Sequence, residues 1–183
     1  GVPGDGLREV FGVWEEECQA YYPHESVGIT ASDDNPLGLS GQYTATELCS
    51  VVHAEGSRVL ATYADQYFAG SPAATVNAFG QGKAYYIAAR TDGDFLRDFY
   101  GNLAGELALQ RALNSSLPDG VTAQLRTDGQ TRTVFLMNFN AEPKSVELDE
   151  TYTDKLGDKT VDGMITLERY GVAVLQRPES PRQ

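Results

Sequence analysis

The chain has 183 residues, 41% of them hydrophobic and 22% charged, with 14 Lys and Arg against 26 Asp and Glu and a formal charge of −12. That length holds one domain of ordinary size or two small ones, and the composition is that of a globular protein. The acidity argues against nucleic acid and anionic lipid as partners, and no run approaches the roughly 18 apolar residues that cross a bilayer.

The chain opens Gly1-Val2-Pro3-Gly4-Asp5-Gly6, without Met, a basic region or an apolar core, and reads as a loop inside a longer chain. Residues 7–12 then read as a short helix ended by glycine. A strand is expected over 13–22, with Trp14, Cys18, Ala20 and Tyr22 sharing one parity, and Pro23 ends it. A short strand over 26–30 precedes a loop over 31–41 rich in Asp, Asn, Pro, Gly and Ser. Strands over 43–54 and 58–64 come next. Two further runs, 75–79 and 83–89, flank Gly80-Gln81-Gly82 and make a hairpin. The spacing of Phe95, Leu96, Phe99, Tyr100, Leu103 and Leu107 predicts a helix over 93–109, capped by Asp92.

Residues 114–120 cluster polar and turn residues and are expected as the boundary between two folding units. Beyond them only short strands are predicted, over 121–127, 131–140, 144–149, 163–168 and 170–177, with Asp128-Gly129 as a tight turn. That pattern indicates a small antiparallel sandwich or barrel. Cys18 and Cys49 are too few for a disulfide-built secreted scaffold, so both are expected as buried, free thiols in a reducing compartment. Asn114-Ser115-Ser116 fits a glycosylation sequon, a triplet common by chance.

Glu15-Glu16-Glu17 invites comparison with the carboxylate pair of glycoside hydrolysis, whose members flank one bond about 5–5.5 Å or 6.5–9.5 Å apart. On a regular strand Glu15 and Glu17 would lie side by side, about 7 Å apart at Cα. They could not face each other, so a solvated strand face is the expectation. Cys49 and His53 share a strand face but sit about 13 Å apart, too far for one zinc ion. Gly80-Gln81-Gly82-Lys83 lacks the upstream glycine, the Ser or Thr and the helix of a phosphate loop. Neither cysteine has the glycine flanks of a nucleophile elbow. No catalytic residue, cofactor or metal is expected. The aromatics, ten Tyr, seven Phe and one Trp, leave a standalone carbohydrate-binding module open as an alternative. Tyr67 and Phe68 lie in a loop-like run with Asp65 and Pro72, which makes those four residues the expected contact region.

The run 59–73 (VLATYADQYFAGSPA), continued by 77–86 (NAFGQGKAYY), resembles the middle domain of family 42 β-galactosidases. LREVFGV at 7–13 resembles the same family. In the second half, VFLMNF at 134–139 and YGVAVL at 170–175 resemble its small C-terminal β domain. The resemblance implies a strand-rich α+β chain, with a partial amidotransferase-like α/β trimerisation domain over residues 1–114 and an all-β C-terminal domain over 118–178. It further implies a non-catalytic oligomerisation region of a retaining, cytoplasmic enzyme that hydrolyses terminal β-galactosyl groups. Its partners would be its own catalytic TIM barrel and two further copies. A degenerate amidotransferase-like binding protein is the remaining rival.

Overall fold

The computed structural model describes residue 4 and residues 6–178. The chain divides into two compact units, Gly1–Leu109 and Gln110–Gln183. The run 114–120 lies within the second of these. Leu113 is buried in the second core and Leu117 packs against it, while Ser115 donates to the Glu147 carbonyl at 2.6 Å.

The first unit begins with α1 (Leu7–Phe11) and continues through β1 (Val13–Ala20), β2 (Val27–Ala31), β3 (Gln42–Ala54), β4 (Arg58–Tyr63), β5 (Pro72–Phe79), β6 (Gly82–Ile87), β7 (Ala89–Thr91) and α2 (Gly93–Glu106). The expected glycine stop of α1 is present. Gly12 is left-handed at φ 61°, and a Cβ there would meet the Asn77 side chain at 2.9 Å. Asn77 needs that space because its amide donates to the Glu9 and Val10 carbonyls at the helix end.

Every strand pair of this unit is antiparallel, in the order β1-β3-β2-β4-β5-β6. β7 returns to pair with β3. Since β6 and β7 are separated only by Ala88, the sheet curls into a ring, β3-β2-β4-β5-β6/β7-β3. This explains why the run expected as one strand over 83–89 is broken. The Ala88 N–H donates to Ala73 on β5, and its carbonyl accepts from Ser50 on β3, at 2.8 and 2.6 Å. The chain changes partner at that residue. Inside the ring lie Val27, Ile29, Tyr43, Ala45, Cys49, Val51, Leu60, Tyr63, Ala74 and Val76, with Phe95 and Phe99 of α2 closing the cluster.

Two expectations are corrected here. First, β1 does not alternate regularly, because its register against β3 shifts between Glu15 and Glu17. The extra residue of this β-bulge reverses the parity of the residues beyond it, so Cys18 is exposed rather than buried, while Cys49 is fully buried. Cys18 pairs with Ser50 in register and Cys49 with Gln19, so the two thiols point to opposite faces. Second, α2 stops at Glu106 and not at residue 109. Ala108 turns left-handed at φ 48°, which a right-handed helix cannot continue.

The second unit contains β8 (Val121–Thr127), β9 (Thr131–Asn138), β10 (Lys144–Glu147), β11 (Tyr152–Asp154), β12 (Lys159–Val161), β13 (Met164–Leu167) and β14 (Val172–Pro178). A five-stranded sheet, β12-β11-β14-β9-β8, and a two-stranded sheet, β10-β13, are both antiparallel. Val134, Leu136, Ala173 and Leu175 of the first meet Val146, Ile165 and Leu167 of the second in one core. The turn at 128–129 is present, with Gly129 at φ 87°. Asp128 accepts from the Gln130 and Thr131 N–H groups, which lowers its pKa. β11 and β12 carry no sequence signal, because three residues each are too few to show a period of two.

The opposed thiols give a direct test. Alkylation of native protein without reductant should modify Cys18 alone, and both thiols should react after unfolding. Burial pushes Cys49 up to about 11, so little of its reactive thiolate exists at neutral pH. A disulfide in fresh protein, or equal native labelling of both residues, would contradict the assignment.

Candidate functional site

The loop between β4 and β5 stands out by its aromatics, and the structure shows how it is held. Both of its ends are pinned to β4: the Gly70 N–H donates to the Tyr63 carbonyl at 2.8 Å and the Tyr63 N–H to the Ser71 carbonyl at 3.0 Å. Gln66 is left-handed at φ 69°, and a turn runs from Gln66 to Ala69. Asp65 accepts from the Gly28 N–H at 2.9 Å, and a Cβ on Gly28 would press on that carboxylate and on Ala64. Gly28 thus lets the loop close onto β2. Pro72 is half-buried as the first residue of β5.

Tyr67 and Phe68 do not form one exposed pair. Phe68 is 4% exposed and belongs to the core, packed edge-on against Tyr63 with centroids 4.7 Å apart. The reading of Phe68 as a surface contact is therefore corrected: its ring fills the core while the Tyr67 ring lies edge-on over it, with centroids 5.0 Å apart. Tyr67 is 71% exposed, and its hydroxyl donates to Glu17 on β1. That hydrogen bond, followed by partial burial, pushes the phenol up to about 12. Tyr22 and Leu48, at the same end of β1, are 71% and 48% exposed. Neither has a sequence signal as a surface residue, since Tyr22 falls on the buried parity expected of its strand.

The three consecutive glutamates take three different partners. Glu15 accepts from the Tyr86 hydroxyl at 3.0 Å, Glu16 meets His53 at 2.7 Å, and Glu17 accepts from Tyr67. Because of the bulge, Glu15 and Glu17 pair with adjacent residues, Val52 and Val51, and point to opposite faces. They do not share a face, as a regular strand would have made them do, and no bond can lie between them. His53 stacks on Trp14 at 4.9 Å. Among the described residues no cluster of three or more His, Cys, Asp or Glu is placed to hold a metal ion.

Comparison with known proteins accounts for both units. Residues 1–110 match the family model described as a β-galactosidase trimerisation domain, and residues 120–177 match that of a β-galactosidase C-terminal domain. The chain belongs to the β-galactosidases of glycoside hydrolase family 42, within their trimerisation and C-terminal domains. It is 49% identical over 179 residues to β-galactosidase BglY of Alicyclobacillus acidocaldarius and 42% identical over 178 residues to β-galactosidase Pbg of Clostridium perfringens, covering 97% of this chain in each case. Among solved structures, the cold-adapted β-galactosidase of Rahnella sp. R3 superposes with a TM-score of 0.84 at 43% identity, over 94% of this chain and 25% of that one. The chain spans about a quarter (26%) of the length of the curated relatives it matches.

Two measurements test this geometry. Phe68→Ala should cost about 3–5 kcal/mol, the usual range for emptying a buried phenylalanine site, whereas Tyr67→Ala should leave the melting temperature near that of the wild type. The tyrosines set the alkaline limit. Tyr43 and Tyr86 are each raised to about 12, against about 10 in an unfolded chain. The folded state therefore holds more protons above pH 10, and the stability these groups contribute is present below pH 10 and lost as pH rises towards 12. Melting temperature should fall across that window, and less steeply in Tyr86→Phe. An unchanged slope would remove Tyr86 from the account.

Proposed function

We propose that this chain supplies the assembly and C-terminal parts of a retaining, cytoplasmic β-galactosidase that hydrolyses terminal β-D-galactosyl groups, and that it is non-catalytic by itself. The observation that carries the reading is the pair of family matches, which together account for nearly the whole chain by an assembly domain and a C-terminal domain. The chemistry of the glutamate run agrees with it, since Glu15, Glu16 and Glu17 are spent on three separate contacts. Catalysis would belong to a barrel elsewhere in the parent enzyme, which this chain would contact, and the assembled form would be a trimer. Asp65, Tyr67 and Pro72 remain the proposed contact loop, with Asp65 and Tyr67 as its exposed members. The net charge of −12 disfavours nucleic acid and anionic membranes as partners, and no helix among the described residues is long and apolar enough to cross a membrane.

A standalone sugar-binding module is kept as a second reading because Phe139 and Tyr170, at neighbouring strand ends of the second unit, are 63% and 60% exposed, and exposed aromatics stack on sugar rings. The experiments separate the two. Purified chain given a chromogenic β-galactoside should show no turnover above a heat-killed control, and light scattering after size exclusion should give a multimer at tens of micromolar. Turnover that survives repurification would overturn the non-catalytic assignment. A clean monomer that binds galacto-oligosaccharides by calorimetry would favour the sugar-binding module.

A further inference from the structure

The outer face of the first unit's ring carries an open pocket of about 470 Å³, lined by Gly28, Thr30, Gln42, Thr44, Ala64 and Asp65. Val27, Ile29, Tyr43 and Ala45 fill the inside of the ring, so alternation puts Gly28, Thr30, Gln42 and Thr44 outside. The β2–β3 register sets Gly28 opposite Thr44 and Thr30 opposite Gln42, and β4 adds Thr62 opposite Thr30. Gly28 contributes no side chain, and a glycine inside a strand marks a place of close approach. A Cβ there would lie 3.1 Å from the Asp65 carboxylate and 3.2 Å from the Ala64 Cβ. The glycine thus leaves a notch in the sheet face, with hydroxyl and amide groups on one side and a carboxylate on the other. That carboxylate is held in place, since Asp65 Oδ2 accepts from the Gly28 N–H at 2.9 Å. Among the described residues no hydrogen bond takes up Asp65 Oδ1, the Thr30 and Thr44 hydroxyls or the Gln42 amide.

We propose that this pocket binds a neutral sugar residue, with Asp65 accepting from one hydroxyl and Gln42, Thr30 and Thr44 meeting its neighbours. The choice of ligand follows from the mixture of groups. A carboxylate only accepts, whereas threonine hydroxyls and the glutamine amide both donate and accept. An anion would meet the Asp65 charge. A cation would meet the donors of Gln42 and both threonines, and a single carboxylate already engaged by an amide. A sugar hydroxyl both donates and accepts, so a ring of them can use every group in the set. The site stands on the pocket itself, and only the choice of a galactosyl probe rests on the family reading.

The test titrates the whole chain by calorimetry with β-1,4-galactobiose, with cellobiose and with L-arginine as a cationic control. Saturable binding of either disaccharide is expected, and none of arginine. Asp65→Asn keeps an oxygen for the Gly28 N–H but removes the charge, and should weaken binding about ten- to hundredfold, as loss of a hydrogen bond to a charged group does. Gln42→Ala combined with Thr30→Val should abolish it. No saturable binding of either sugar, or binding of arginine alone, overturns the proposal. So does an affinity that survives both changes and is lost in Phe139→Ala, which would put the sugar on the second unit. Should Asp65→Asn melt well below the wild type, Gln42→Ala answers the same question, because that exposed side chain makes no hydrogen bond within the described residues. Light scattering on the same samples reports the assembly reading separately, so a failure of one is distinguishable from a failure of the other.

Discussion

A long strand has two edges of backbone donors and acceptors, and β3 satisfies both along most of its length. On one edge it receives β2 at its start and β1 at its end. On the other it receives β7. Because β7 is the continuation of β6 beyond Ala88, satisfying the second edge forces the sheet to curl into a ring. Tyr63 fixes the joint. Its hydroxyl lies 3.1 Å from the Ser50 carbonyl and 2.9 Å from that of Ala88, tying β4 across the interior to β3 and to the break between β6 and β7. Burial of this phenol raises its pKa far above the usual tyrosine range. Phe68 packs on the Tyr63 ring, so the loop between β4 and β5 depends on the same joint.

This closure shapes the surface of the first unit. A ring has fewer free edges than an open sheet, and β1, which pairs only with β3, keeps an outer edge. That strand is blunted by a bulge and three glutamates, devices that discourage pairing with another chain. Among the exposed apolar groups of the unit, Leu96 and Tyr100 lie on α2 and Leu107 at its end. The second unit solves a simpler problem, with two small antiparallel sheets and one shared core. Buried Asn138 donates to the Glu142 and Glu168 carbonyls and accepts from Asn140. One side chain thus ties together the turns after β9 and β13.

The arrangement suits a region whose role is support. Several carboxylates hold the scaffold: Glu15 on Tyr86, Glu17 on Tyr67, Asp65 on the Gly28 amide, Asp92 on the Phe95 and Thr44 amides. Their positions serve the joining of strands, loops and helix.

Much of this is legible in the sequence, wherever a local rule decides the outcome. The glycine stop of α1, the hairpin at 80–82, the Asp92 cap, the 128–129 turn and the strands that became β9 and β14 each depend on residues close in the chain. The family resemblance rests on ordered runs of residues in both units, and each unit matches a domain of that family. The departures arise where distant strands decide. The bulge in β1 is set by its register on β3, thirty or more residues away, and it moves Cys18 to the surface and parts Glu15 from Glu17. The inward turn of Phe68 is set by Tyr63 and the core it fills, so a loop-like run conceals a core residue. The full apolar arc of α2 is visible as a helical period, but which half is buried is not. A period shows that a helix has an apolar side, and only the neighbours that pack against it determine how much of that side is covered.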